Sequence, residues 1–109
     1  MQIDIHARNF SLTDAMKNHA KDQLEFALAE RDHYIQRVVI RLSDINGPRG
    51  GKDKRCLLLI TFVNLPTIVI DNTETDLYFS VEQAVNRASQ AVERRIGRKQ
   101  SSRKLKLVA

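Results

Sequence analysis

Three arginines near the carboxy-terminal end of the sequence recur at a spacing that could bind a row of phosphates. At about 100° per residue, a helix would hold Arg87, Arg94 and Arg98 within an arc of roughly 40°. A guanidinium group binds phosphate oxygens through two parallel hydrogen bonds and keeps its charge at neutral pH. The alternative is a solvated helix face. Like charges four residues apart weaken a helix, however, so we interpret the row as an anion-binding surface.

Positive charge is concentrated in the same region of the chain. The 109 residues carry a net charge of +5, but residues 87–109 hold eight basic side chains and one acid, Glu93, whereas residues 1–86 hold ten basic and twelve acidic side chains. This separation indicates an anionic partner, with nucleic acid favoured over a membrane. A basic tail that only improves solubility is the alternative.

A glycine-rich segment in the middle of the chain, NGPRGGKDK from position 46 to 54, carries a second group of basic residues. It lacks the lysine spacing and the following Ser or Thr of a phosphate-binding loop. Its glycines would allow a partner to approach the backbone closely, and Arg49, Lys52 and Lys54 could then hold phosphate. A flexible hairpin with solubilising charge explains the segment equally well.

The residue types that support catalysis or metal binding are sparse. Cys56, the one cysteine, lies in an apolar run and is interpreted as a packed core thiol. His19 is interpreted as a boundary residue of the first helix, and the three histidines lack the spacing of a metal site. We therefore expect a binding protein with no enzymatic activity, cofactor or metal. A single cysteine and an amino terminus without a signal peptide favour the cytoplasm.

The pattern of apolar residues predicts the elements that position the basic side chains. Alternation predicts strands near residues 3–8 and 37–42, and a continuous apolar run at 55–63 predicts a central strand followed by another at 67–72. Apolar spacing predicts a helix from Leu12 to about Glu30, begun by Ser11, and a helix from Leu77 to about Lys99, capped by Asp76.

The order β-α-β-β-β-α predicts an α+β fold, a two-layer sandwich in which two helices cover one face of a four-stranded sheet. The first two strands should be parallel, because a helix crosses between them, and the remaining strands should form an antiparallel meander. The last five elements have the order of a double-stranded-RNA-binding domain. We expect one face of the sheet to remain partly open.

Three segments of the sequence carry a resemblance to a known family. The opening IDIHARNFSLTDAM, the central RLSDINGPRGGKDKRC and the ETDLY before the last helix are similar to the ribosome hibernation promoting factor family. The same family is labelled ribosome-associated translation inhibitor and sigma-54 modulation protein. The resemblance covers roughly residues 1–99.

The resemblance implies a protein that binds the small ribosomal subunit and its rRNA in the channel for mRNA and tRNA. It implies that idle ribosomes are kept from translating in stationary phase or stress by steric occlusion, without membrane or small-molecule substrate. The positions that would contact rRNA are Arg87, Arg94 and Arg98 from the matching helix, Arg95 and Lys99 from charge and position, and Lys52, Lys54 and Arg55 from the central block.

Two further expectations concern the organisation of the chain. Residues 1–99 are predicted to form the ribosome-binding domain and residues 100–109 a mobile basic tail. Long family members have a second domain that pairs ribosomes, and these 109 residues do not include it, so self-driven pairing is not expected. A protein-interaction regulator that uses the open sheet face and Phe79 is the alternative function, and weak self-association stays open.

Overall fold

The computed structural model describes residues 1–45 and 53–108, and it describes side chains as far as residue 97. Within these residues, seven elements follow one another: β1 (Gln2–Arg8), α1 (Asp14–Leu28), a short 3-10 helix (Ala29–Tyr34), β2 (Ile35–Asp44), β3 (Lys54–Phe62), β4 (Ile68–Glu74) and α2 (Leu77–Val108). Lys52 lies outside the described residues, and so do the side chains of Arg98 and Lys99.

The four strands form one sheet in the order β1-β2-β3-β4. β1 is parallel to β2, with Ile5 opposite Ile40. β2 and β3 are antiparallel, and so are β3 and β4. The predicted α+β fold is therefore confirmed, including the parallel first pair and the antiparallel meander.

The core lies between the sheet and the two helices. Alternate residues of the strands are buried, and the same parity continues across the sheet because the register pairs Leu42 with Cys56. α2 contributes Val81, Ala88 and Val92 from one stripe, all with no exposed surface. Complete removal of this apolar area from water drives the two layers together. The opposite face of the sheet carries no helix among the described residues.

The first helix begins two residues later than the sequence predicts. Thr13, not Ser11, is the residue before the first turn, and its Oγ1 accepts a hydrogen bond from the main-chain N–H of Met16 at 3.2 Å. Both residue types can cap a helix, so the choice depends on where the chain leaves β1. The helix then changes to the 3-10 helix after Leu28.

The second helix extends beyond its predicted end. We expected it to end near Lys99, whereas the backbone stays helical to Val108. No proline interrupts residues 97–108, and most of the residues there are tolerant of helix, so the loss of the apolar stripe does not end it. The division into a domain at 1–99 and a mobile tail at 100–109 stays a prediction. In the described part of the chain, no helix is both long and apolar enough to span a membrane.

Candidate RNA-binding site

The position of α2 determines where the arginine row lies. The helix begins with a cap from Asp76, whose Oδ2 accepts a hydrogen bond from the main-chain N–H of Phe79 at 2.9 Å. This confirms the predicted cap. α2 then packs across β3 and β4 and beside α1. The apolar stripe fixes its rotation, and the arginine row consequently lies on the side of the helix that borders β4.

Arg87 shows this placement directly. Its Nη1 donates a hydrogen bond to the main-chain oxygen of Asp71 in β4 at 2.9 Å. β4 is an edge strand of the sheet in the described residues. Arg87 therefore joins the helix to the sheet edge while its side chain stays exposed at the surface.

Two turns later, Arg94 is exposed and makes no hydrogen bond or ion pair with the described residues. Its full charge is therefore available to a partner. Arg98 follows one turn further along the helical backbone, and its side chain lies outside the described part. Of the three predicted residues, Arg87 and Arg94 are placed on the same side of α2, as the spacing required.

The acidic residues of α2 lie on its other side, toward α1. Glu82 faces His19 of α1, with 3.7 Å between its Oε1 and Nε2 of the histidine. Glu93 lines a groove together with Glu30, which follows α1. Among the described side chains of α2, carboxylates therefore lie beside α1, and arginines without an ion pair lie beside β4. His19 also contacts the ring of Tyr78 edge-on, with 4.8 Å between the centroids, which agrees with a boundary position.

Arg95 has a structural partner. Its Nη1 donates to the main-chain oxygen of Pro66 at 2.8 Å, and the residue is half-buried. The charge and position of Arg95 predict that its side chain contacts rRNA. The long side chain reaches the turn before β4 and satisfies a carbonyl there. The role of Arg95 and Lys99 in contacting RNA stays a prediction.

Lys54 and Arg55 lie on opposite faces of the sheet because they are neighbours in β3. Nζ of Lys54 lies 2.8 Å from Oδ2 of Asp44 and 3.4 Å from Oδ1 of Asp53. The hydrogen bond with Asp44 raises the pKa of the Lys54 ammonium. Lys54 therefore lies on the helix-covered face of the sheet, where two carboxylates neutralise it.

Arg55 points to the open face and meets the same residue that Arg87 contacts. Its Nε and Nη2 donate to the two carboxylate oxygens of Asp71 at 2.9 and 2.7 Å. These hydrogen bonds lower the pKa of the Asp71 carboxyl, and the charge of nearby Arg87 lowers it further. The structure therefore brings Arg55 and Arg87 together around Asp71, at the edge between the helix layer and the open face.

Further cations on the open face were not predicted from the sequence. Arg8 and Arg41 are exposed and have no ion pair in the described residues, and His6 lies beside them. The signal that could have revealed them is the alternation itself, since the polar positions of β1 and β2 must share the face opposite the core.

The remaining candidates from the sequence differ in burial. Cys56 is completely buried, and burial raises the pKa of its thiol to about 12, so the prediction of a core thiol is confirmed. Phe79 is 44% exposed, and its role in a protein contact stays a prediction. Phe26 on α1 is 90% exposed. No group of three or more potential metal ligands occurs among the residues described.

Comparison with known proteins agrees with the fold. The amino-terminal domain of Protein Y from Thermus thermophilus superposes with a TM-score of 0.72 at 23% identity, covering 86% of this chain and 98% of that one. A ribosomal subunit interface protein from Coxiella burnetii gives a TM-score of 0.74 at 18% identity, covering 86% and 96%. No curated protein matches the sequence.

A family model provides the stronger relationship. Residues 3–100 match the model described as Sigma 54 modulation protein / S30EA ribosomal protein, which covers both the sheet and the part of α2 that carries the arginine row. The match confirms the family indicated by the opening, central and ETDLY segments. The chain therefore belongs to the Sigma 54 modulation protein / S30EA ribosomal protein family.

Proposed function

We propose that this protein binds the small ribosomal subunit through rRNA phosphates and inhibits translation by occupying the channel for mRNA and tRNA. The observation that carries the proposal is the separation of charge on α2. Arg94 has no partner among the described residues, and Arg87 lies on the same side of the helix, while Glu82 and Glu93 lie toward α1. Arginines placed along one side of a helix suit the regular charges of an RNA backbone.

The family supports the ribosome as the source of that RNA. The chain matches a family whose description includes a ribosomal protein, and one structural neighbour is a ribosomal subunit interface protein. We therefore assign to this chain the role of a ribosome-associated factor in the cytoplasm that acts in stationary phase or stress. Inhibition by occupation needs no covalent step, so the protein acts as a binder and not as an enzyme.

The electrostatic part of the mechanism follows from the placement of the cations. Each arginine that contacts a phosphate releases condensed counterions, which makes binding favourable at low salt and weakens it as salt rises. Arg87 and Arg94 would position the helix along the RNA backbone. Contacts of this type fix orientation without reading sequence, which fits a partner that is always the same folded RNA.

The experiment is co-sedimentation with ribosomes and isolated small subunits on sucrose gradients, at increasing salt. The variant Arg87→Glu/Arg94→Glu/Arg98→Glu should lose association completely. A matched control, Lys17→Glu/Lys21→Glu/Arg31→Glu, makes the same change in charge on and just after α1 and should keep it. Circular dichroism and thermal unfolding of both variants show whether the fold is retained.

Two outcomes would overturn the proposal. If the α2 variant is folded and co-sediments normally, the arginine row is not part of the binding site. Equal loss in the α1 control would mean that net charge alone, and not the surface of α2, determines binding. A translation assay with purified ribosomes then tests inhibition, which should be lost in the same variant that loses association.

A further inference from the structure

The open face of the sheet contains a concavity that is separate from the arginine row of α2. It has a volume of about 450 Å³, within the range of small-ligand sites. Its main side-chain contributors are His6 and Arg8 of β1, Arg41 and Ser43 of β2, and Arg55 and Leu57 of β3.

The sheet register brings these side chains together. His6 is opposite Arg41 in the parallel pair, and Arg41 is opposite Leu57 in the antiparallel pair. In the next row, Arg8 is opposite Ser43, which is opposite Arg55. Two adjacent sets of cross-strand neighbours on the same face lie close enough for one small molecule to contact both.

Charge is distributed unequally over this face. At the far end, Arg37 lies 3.3 Å from a carboxylate oxygen of Asp4. Arg55 is neutralised by Asp71 at 2.7 Å. Among the described residues, Arg8 and Arg41 therefore remain as two unpaired guanidinium groups, and they are diagonal neighbours at the wall of the concavity. A patch of this size suits one phosphate group and not a long run of them.

The concavity also offers apolar surface next to the two arginines. Leu57 is half-buried at the centre of the face, opposite Arg41 in the sheet register. A flat organic group can cover such a surface and displace water from it. His6 and Ser43 add hydrogen-bonding groups at the rim.

We propose that this concavity binds a free nucleoside phosphate, with the phosphate held by Arg8 and Arg41 and the base lying over Leu57. The site is distinct from the row that carries the proposed ribosome binding, and it gives the protein a means of responding to a small nucleotide. Its ligand recognition does not depend on whether the ribosome is the partner of α2.

The test is titration of the full chain with adenosine monophosphate, followed by amide chemical shifts and by calorimetry. Shifts should be confined to the ends of β1 and β2 and to the amide of Leu57. Inorganic phosphate alone and adenosine alone should each bind at least tenfold more weakly, since each lacks one half of the recognised chemistry.

Substitutions define the site further. Arg8→Gln and Arg41→Gln should each weaken the binding of adenosine monophosphate about tenfold. Arg37→Gln, on the same face but paired with Asp4, is the matched control and should leave binding unchanged. Arg94→Gln on α2 should also leave it unchanged, which separates this site from the proposed RNA-binding row.

Three results would overturn the proposal. The first is the absence of localised shifts at millimolar adenosine monophosphate, and the second is equal affinity for inorganic phosphate alone. The third is binding of a single-stranded RNA oligomer, but not of the mononucleotide, in a manner that depends on Arg8 and Arg41, which would make the face an extension of the RNA surface. Loss of ribosome association in the α2 variant with nucleotide binding intact would leave this proposal standing.

Discussion

Arg87 of α2 and Asp71 of β4 are joined by a hydrogen bond of 2.9 Å from a guanidinium nitrogen to a main-chain oxygen. The carboxylate of the same aspartate is occupied by Arg55. One residue of the edge strand therefore organises two of the predicted RNA-binding arginines, one from the helix layer and one from the open face. Arg87 consequently has a structural role in addition to its proposed contact with phosphate, whereas Arg94 has none among the described residues.

This difference predicts that two neighbouring arginines of the same row respond differently to substitution. Arg87→Gln should lower the free energy of unfolding by about 1 kcal/mol, the usual net value of one hydrogen bond. Arg94→Gln should change the free energy of unfolding by less than about 0.5 kcal/mol, because Arg94 is exposed and has no partner among the described residues. Urea denaturation measures both values. Equal destabilisation by the two substitutions would show that the bond to Asp71 contributes nothing.

The salt dependence of ribosome binding gives a second prediction. If Arg94 contacts a phosphate, Arg94→Gln should reduce the slope of log K against log salt concentration by about 1, because one fewer counterion is released. Lys17→Gln on the exposed surface of α1 is the control and should leave the slope unchanged. A slope that is the same in the native protein and in Arg94→Gln would contradict the contact.

Asp71 predicts a pH dependence of stability. Two hydrogen bonds from Arg55, with the charge of Arg87, lower the pKa of this carboxyl below its ordinary value of 3.8. A pKa lowered by folding contributes stability that is present above the ordinary value and is lost as pH falls through the lowered one. Asp71→Asn lacks this contribution.

The native protein should therefore be more stable than Asp71→Asn by a constant amount between about pH 5 and pH 8, and the difference should shrink below about pH 4. Denaturation of both proteins at each pH measures it. A difference that persists unchanged at the lowest pH would mean that the ionised carboxylate is not its source.

The cap of α1 gives a fourth prediction with a built-in control. Thr13 Oγ1 accepts a hydrogen bond from the main-chain N–H of Met16, and removal of such a cap costs about 1 kcal/mol. Thr13→Ala should lower the free energy of unfolding by that amount. Ser11→Ala, two residues earlier and outside the helix, should leave it nearly unchanged. If Ser11→Ala destabilises the protein more than Thr13→Ala does, the helix begins at Ser11, as the sequence predicts.

The elements of the fold could be predicted because their signals are local. The alternation of apolar and polar residues in β2 indicates a strand, and the apolar stripe from Val81 to Ile96 indicates a helix. Each pattern also shows which face is buried, and each can be found from residues close together in the sequence. The choice between Ser11 and Thr13 could not be made in this way, since either hydroxyl can cap a helix and the direction of the preceding strand decides.

The candidate site depended on contacts that the sequence does not reveal. Asp71 meets Arg55 across sixteen positions of the chain, and only the register of β3 and β4 makes them diagonal neighbours on one face. The same register sends Lys54 to the other face, where Asp44 and Asp53 bind it. Charge alone therefore grouped Lys54 with Arg55, although the structure separates them.

Cys56 lies in the inner strand β3. Its burial gives a prediction for the reactivity of the thiol and for the stability of the protein at alkaline pH. Burial raises the pKa of its thiol from 9.0 to about 12, so at pH 8 almost no thiolate forms in the folded protein. Iodoacetamide should label the native protein only as fast as the folded structure opens and exposes Cys56. Labelling should become rapid when urea unfolds it.

The sign of the corresponding effect on stability follows from the raised pKa. The thiol contributes its full share to the free energy of unfolding while it is protonated in both the folded and the unfolded protein. This contribution is lost as pH rises from about 9 toward 12, because only the unfolded chain then releases the proton. The native protein should lose up to about 1.4 kcal/mol per pH unit in that range relative to Cys56→Ala, which cannot ionise there. Lysines and tyrosines titrate equally in both proteins and cancel in the difference. A constant difference from pH 8 to pH 11, or fast labelling of the folded chain, would show that the thiol is not shielded by the core.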